Sequence, residues 1–517
     1  MNILFTTQSS GVKIFYHLLQ KIEKDIKINK TGFYVAHSQY YGEFISEHPD
    51  FTKNYNIVKE WEIIEDSKKI DPDLSIIKKY ENQIGDPTLW NVLISDRRIY
   101  LGNRATFKQD YKPSFTHDHM LSILQVALQK IDHLLNTIKP DIILSLDPVT
   151  FGDYLFYLFA KKRKIPMLFL KTTKIKNYIE FNSGIFGCSS NIYKQYKQYE
   201  KNNHSDQWVN EAKEYIKTIE NKNIRHEGMI LIPSQRAKVT KNKNEILLLP
   251  KKITKKIKYY FYYKNDHHIP NQFNTFFNRG LLKPLKVLYH NFRLSKDYIY
   301  IKGHEKINYA FFPLQSEPEI SSLIWGKAYM NQIETIRNIA RSLPVGMKLI
   351  IKEHPRAIGY RSYGYYKKIL EIPNVILAHP NQEVRPIIQK STIVITISGF
   401  VAFEAVLYKK PSLMLGGPRP FSILPDSMIC YNNNINELCN EIVSLIKNYK
   451  YKEDSLINYI AATMKCSTQI DYFTTLLKKK ARYGDKGIYE FEEEIEKLAI
   501  YTDKRIKEEL KQLLIKI

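Results

Sequence analysis

Residues 309–420 repeat one unit four times: a short apolar run, a polar tip, then a helical stretch. The first run is Tyr309-Ala-Phe-Phe-Pro-Leu, tipped by Gln315-Ser-Glu-Pro-Glu319, and the second ends on Lys352-Glu-His-Pro355-Arg356. The third, residues 391–397, enters Ser398-Gly399-Phe400 and a helix bearing Glu404; the fourth, after Lys410-Pro411, ends on Gly416-Gly417. Apolar runs that alternate with helices specify a parallel α/β sheet, because parallel strands need crossovers and are buried on both faces. Ligands of such a sheet bind at the carboxyl ends of its strands, and here every polar tip lies at that end.

Strands are predicted over 309–314, 348–352, 375–378, 392–397 and 412–415. Helices are predicted over 326–342, 362–370, 383–389 and 400–408, then 436–449, 456–480 and 490–516. The amino-terminal half carries the same rhythm. Strands are expected at 2–6, 32–36, 141–146 and 167–170, and helices at 12–25, 118–137 and 151–164. Residues 50–115 read as irregular, with helical pieces at 73–84 and 89–95. From 181 to 307 the rhythm is lost, although helices are expected near 191–199, 205–223 and 281–294. A chain of 517 residues accommodates two or three domains.

The net charge of +25 favours anionic partners. Residues 236–306 hold 17 Lys and Arg against 4 Asp and Glu, interleaved with aromatic side chains. A solvated lysine-rich surface accounts for this; so does a face for anionic lipid head groups or a lipid-linked phosphate acceptor. No zinc-finger, RRM or KH signature is present, so nucleic acid is not an expected partner. Gln8-Ser-Ser-Gly11 lacks both GxGxxG spacing and the Walker lysine, so no dinucleotide or P-loop fingerprint is present. The four cysteines show no CxxC pair and are expected to be reduced thiols rather than a disulfide framework or metal site. No apolar stretch has the length of a membrane span, and the first residues are too short an apolar run for a signal peptide. A cytoplasmic protein is expected, peripheral on the inner face of the membrane if the basic face meets lipid.

Lys352, His354 and Arg356 suit a phosphate, and Pro355 holds the histidine out of helical geometry at the sheet edge. A basic turn after a strand reads those residues equally well. Ser398, Gly399 and Phe400 form a turn into a helix amino terminus, where amide groups favour an anion, and Glu404 lies one turn further on, within reach of ribose hydroxyls. Gln315, Glu317 and Glu319 alternate along an extended strand end and can share a face; the two acids can divide acid, base or nucleophile roles, or can cap the following helix. Asp147, at the tip of an amino-terminal strand, is a candidate base on the acceptor side.

The ordered motifs Tyr309–Glu319, Lys352-Glu-His-Pro355, Ile397-Ser-Gly-Phe400 with Glu404, and Lys410-Pro411 resemble the bacterial capsule polysaccharide biosynthesis family, related to the retaining Kdo transferases. The resemblance covers residues 305–430. It implies a GT-B-like fold: two Rossmann-like domains with parallel sheets facing a central cleft, plus carboxyl-terminal helices. The divisions expected are an acceptor domain over 1–300, a donor domain over 301–482 and a helical tail over 483–517. It further implies a metal-independent glycosyltransferase, without cofactor, that uses a nucleotide-sugar donor such as a CMP-linked, Kdo-like sugar. The acceptor would be a saccharide or a lipid-linked saccharide. In that family the His-Pro motif meets the nucleotide phosphate, here His354 and Pro355, and the Ser-Gly turn with the following Glu holds phosphate and ribose. A polymer phosphotransferase that uses CDP-alditols, or a non-catalytic component of capsule assembly or export, would share the donor fold and the basic face.

Overall fold

The fold was analysed in a computed structural model, which describes residues 1–100, 115–202, 206–221, 283–301, 307–316, 319, 321–354, 357–432, 434–477 and 490–516. Two seven-stranded sheets organise it. The first contains β1 (Asn2–Thr7), β2 (Lys30–Val35), β3 (Asn56–Lys59), β4 (Ile142–Leu146), β5 (Met167–Thr172) and β6 (Tyr178–Asn182), together with β14 (Thr468–Gln469) from far along the chain. Its order is β14-β6-β5-β4-β1-β2-β3. The second contains β7 (Tyr298–Ile299), β8 (Tyr309–Pro313), β9 (Lys348–Lys352), β10 (Val375–Ala378), β11 (Ile393–Thr396), β12 (Ser412–Met414) and β13 (Ile429–Tyr431), in the order β13-β12-β11-β8-β9-β10-β7. Every pairing in the second sheet is parallel. The first sheet is parallel except at its end, where β6 runs antiparallel to β5 and β14 to β6. Two α/β halves with parallel sheets facing one cleft make the fold GT-B-like.

Strand alternation explains the layering. Ile3 and Phe5 of β1 join one hydrophobic cluster, whereas Leu4 between them joins the cluster on the opposite face. In β8, Ala310 and Phe312 face one cluster and Phe311 the other. The helix Gly11–Ile22 buries Val12, Phe15, Leu18, Leu19 and Ile22 on one side, at the spacing a sheet-covering helix requires. Thr150 and Asp153 form a reciprocal capping box that starts the helix Phe151–Arg163.

The long helices and most strands coincide with the sequence reading to within a few residues. Three differences have physical causes. β3 and β6 lie where no strand was expected, since Asn56 and Lys59 flank one and the buried Glu180 and Asn182 interrupt the other. The stretch expected as one helix over 326–342 is a π turn, Ser321–Trp325, a 3-10 turn, Lys327–Tyr329, and an α-helix, Gln332–Ser342, whose start is capped by the Asn331 side chain. The expected helix over 456–480 is Glu453–Cys466, after which the chain forms β14 and a π turn, Tyr472–Leu476.

The two halves are interlaced. The helices Ser190–Asn202 and Gln207–Asn221 follow the first sheet, yet they pack with Glu453–Cys466 in a cluster that includes Ala402, Phe403 and Val406 of the second half. Conversely, the last helix, Phe491–Lys516, adds Ile495, Leu498 and Ile506 to the first-half core, and Lys21 meets Glu496 at 2.9 Å. The basic segment is described only over 283–301; the rest of 236–306 lies outside the described residues.

Candidate active site at the interdomain cleft

The carboxyl ends of β4 and β5 face those of β8, β11 and β12 across a cleft of about 420 Å³. Its first-half wall carries Gln8, Ser9, Asp147, Lys171, Lys174 and Glu180. Its second-half wall carries Gln315, Glu319, Trp325, Ser398, Gly399, Phe400 and Arg419, and Tyr472 and Phe473 add aromatic surface.

The two walls are joined at one edge by hydrogen bonds to backbone carbonyls. Trp325 Nε1 donates to Ile185 O at 3.2 Å, and Gly187 N donates to Pro418 O at 2.8 Å. Gly416 is required here: a Cβ would lie 2.8 Å from both Ile397 O and Trp325 O, so the strand end and the π turn approach too closely for any other residue. This close approach carries the chain to Arg419. Its guanidinium lies 3.6 Å from the centroid of the Trp325 ring and 4.9 Å from that of Phe400. The Arg419 Nε is buried and makes no hydrogen bond. Burial lowers the Arg419 pKa to about 10, with Asp147 opposing the shift. The result is a cation held rigid by two rings, with donor capacity left over.

The opposite wall pairs charges more loosely. Lys171 Nζ lies 3.7 Å from Asp147 Oδ1 and donates to Gly184 O at 2.8 Å and Ile185 O at 3.1 Å. Gln8 Nε2 donates to Asp147 O and, at 2.9 Å, to Asp153 Oδ2. Glu180 is 2% exposed, its Oε2 has no hydrogen-bond partner, and burial raises its carboxyl above the ordinary range while Ser189 opposes. A carboxyl of that kind holds its proton closer to neutrality than a solvated one.

Six of the residues singled out in the sequence line the cleft: Asp147, Gln315, Glu319, Ser398, Gly399 and Phe400. Gln315 Nε2 donates to Thr396 Oγ1 at 3.1 Å, and the Gly399 amide donates to the same oxygen at 3.3 Å. The tips of β8 and β11 are thereby tied together, and the Gly399 amide has an internal acceptor. Glu319 O accepts the amides of Ser322 and Leu323, both at 3.0 Å, so its backbone starts the π turn while the residue borders the cleft.

Lys352, His354 and Glu404 are not on the cleft wall. Lys352 is turned inward, with Nζ donating to Pro380 O at 2.9 Å and Glu353 O at 3.3 Å. His354 is exposed, and Glu404 lies on the short helix Val401–Leu407. Glu317, Pro355 and Arg356 lie outside the described residues.

Sequence reasoning missed Arg419, Glu180 and Lys171, and it missed the partner set of Glu353. Glu353 is 1% exposed and accepts from Arg361 Nη1 at 2.5 Å, Tyr366 Oη at 2.8 Å and the His354 amide at 2.7 Å. Arg361 Nη2 in turn donates to Gln315 O at 2.7 Å, so one buried ion pair holds both the β9 and the β8 tips. A basic residue two positions beyond the glycine pair was the available signal for Arg419. All four cysteines are unpaired. Among the described residues, no group of three or more His, Cys, Asp or Glu side chains could hold a metal ion.

No curated protein matches this chain. Among solved structures, it is similar to UDP-GlcNAc 2-epimerase from Neisseria meningitidis at 13% identity, covering 89% of this chain and 97% of that one, with a TM-score of 0.24. It is also similar to the KpsC beta Kdo 2,7 transferase of Thermosulfurimonas dismutans at 10% identity, 64% and 79% coverage and a TM-score of 0.32. A glycosyltransferase from Rickettsia africae is matched at 10% identity, 97% coverage of each chain and a TM-score of 0.26. Likenesses this distant say nothing of activity. The sequence itself is more telling, because residues 232–423, which include Gln315, Ser398, Gly399 and Arg419, match the family described as capsule polysaccharide biosynthesis protein.

Proposed function

We propose that the protein is a glycosyltransferase of capsular or surface polysaccharide assembly that takes its sugar from a nucleotide-sugar donor bound at the second-half wall. The carrying observation is Arg419: a cation packed against the rings of Trp325 and Phe400, with its buried Nε unbonded, bordering the cleft opposite carboxyl groups. In the reaction, an acceptor hydroxyl oxygen bonds to the anomeric carbon and the bond from that carbon to the donor phosphate oxygen breaks. The nucleotide leaves with the electron pair, and the hydroxyl proton passes to a base on the first-half wall. Arg419 stabilises charge developing on the phosphate from a site that needs no reorganisation. Asp147 and Glu180 are the carboxyl groups on the acceptor wall, and Glu319 borders the donor side. The acceptor is a growing saccharide or its lipid-linked form, and the family supports a capsular product.

The test is nucleotide release from CMP-Kdo, UDP-sugars and CDP-glycerol. One nucleotide sugar should be consumed, Arg419→Ala should lower kcat by about 100-fold, and Arg419→Lys should restore part of it. Full activity in Arg419→Ala removes the reading. Release from CDP-glycerol alone replaces it with polymer phosphotransfer.

A further inference from the structure

The helix Lys283–Arg293 is amphipathic, with its apolar side chains gathered on one side. Its inner side docks on the second half. His290 is buried against Tyr366 with ring centroids 5.6 Å apart, Leu294 just beyond the helix enters the core, and the Arg293 guanidinium lies 5.2 Å from the Tyr363 ring centroid. Its outer side presents Leu285, Leu288 and Phe292, which are 54%, 62% and 78% exposed, with Tyr289, 49% exposed, at the margin where its ring meets Tyr363 edge-on at 5.8 Å. These positions follow i, i+3, i+4 and i+7, so at the helical repeat they fall within an arc of about 100°. An exposed apolar stripe of this order marks an interaction surface rather than ordinary protein exterior.

The charge around the stripe identifies its partner. Lys286 borders one side of the arc, and Lys296 follows the helix, with Asp297 the one acidic residue between 283 and 301. An apolar strip edged by cations matches a bilayer surface, where acyl chains lie beneath anionic head groups. A second copy of this chain fits less well, since a two-fold contact through the stripe brings the Lys286 cations of the two copies towards each other. Among the described residues no helix is long and apolar enough to cross a membrane, so the contact lies in the plane of the surface.

We propose that the helix Lys283–Arg293 docks the protein on anionic lipid, with Leu285, Leu288 and Phe292 at the head-group boundary and Lys286 and Lys296 on the phosphates. This docking is independent of the activity proposed for the cleft. It is tested by co-sedimentation of the full chain with vesicles of phosphatidylcholine alone, or with roughly one third phosphatidylglycerol. The wild type should bind the anionic vesicles and lose binding as salt rises. Leu288→Glu/Phe292→Glu should bind at least about tenfold more weakly, and Lys286→Glu/Lys296→Glu should weaken the binding to a similar degree. Leu288→Ser/Phe292→Ser, with an unchanged melting temperature, guards against a folding artefact and should also lose binding. The proposal is overturned if the wild type ignores anionic vesicles, if it binds neutral vesicles equally, or if the stripe variants bind as the wild type does. It is overturned as well if those variants convert a dimer to a monomer without changing vesicle binding, which would assign the stripe to a second copy.

Discussion

The buried pair Glu353–Arg361 makes a sharp demand on the second half. Both side chains are almost wholly inaccessible, at 1% and 2%, and their closest contact is 2.5 Å. Replacing Glu353 with Gln keeps the volume and an acceptor for Tyr366, but it leaves the Arg361 cation buried without a counter-charge. Breaking such a pair costs about 3–5 kcal/mol, and Gln should sit at the lower end because its amide oxygen keeps one bond. Glu353→Ala should sit at the upper end or beyond, since the Tyr366 hydroxyl and the His354 amide each lose a bond worth about 1 kcal/mol. For a domain of this size each kcal/mol shifts the melting temperature by about 2–4 °C, so Gln should lower it by about 6–12 °C. The double change Glu353→Leu/Arg361→Met removes both charges at similar volume and should cost less than either single change. A coupling energy of at least about 2 kcal/mol in that cycle, read by urea unfolding, is the expected signature. If the double variant costs the sum of the singles, or if Gln melts within about 2 °C of the wild type, the pair does not hold the strand tips as described.

Gly399→Ala would place a Cβ 3.0 Å from Thr396 Oγ1 and 3.2 Å from Gln315 Nε2; steady-state kinetics should show a raised donor KM, while stability falls by only about 1 kcal/mol. An unchanged KM would mean that the tie between the β8 and β11 tips does not shape the donor wall. Burial raises the Asp153 carboxyl from an ordinary 3.8 to about 7. The folded chain therefore keeps a proton that the unfolded chain releases between those values, and this group's contribution to stability falls as pH rises across that window. Asp153→Asn should flatten that part of the slope in urea midpoints measured from mildly acid to neutral pH; an identical slope in the variant would assign the dependence elsewhere.

The alternating architecture was legible because its signals are local. Residues 142–146 and 393–396 are buried throughout and apolar but for Ser145 and Thr396, as strands covered on both faces are, and the capped helices between them carry one apolar side. β6 was not legible, because a strand containing Glu180 and Asn182 reads as polar until the opposing elements bury it. The candidate site divides in the same way. Position at a strand tip could be read, which is why Asp147, Gln315, Glu319 and the Ser398–Phe400 turn border the cleft. The direction in which a tip side chain turns could not. Within Lys352-Glu353-His354, the lysine and the glutamate point inward because Pro380 O lies beside one and Arg361 beside the other, and neither partner is adjacent in sequence. Arg419 escaped notice because its setting is made by Trp325 and Phe400, each brought from a different strand end.

The interlacing of the two halves bears on how the chain is made. The first sheet is complete only when Thr468 and Gln469 pair with β6, and the face of Gly11–Ile22 is covered only when Phe491–Lys516 arrives. On the ribosome, the amino-terminal half must wait with that apolar surface open until nearly the whole chain has emerged. For the same reason, a cut between the sheets yields no two self-sufficient pieces: each fragment would lack helices that the other encodes.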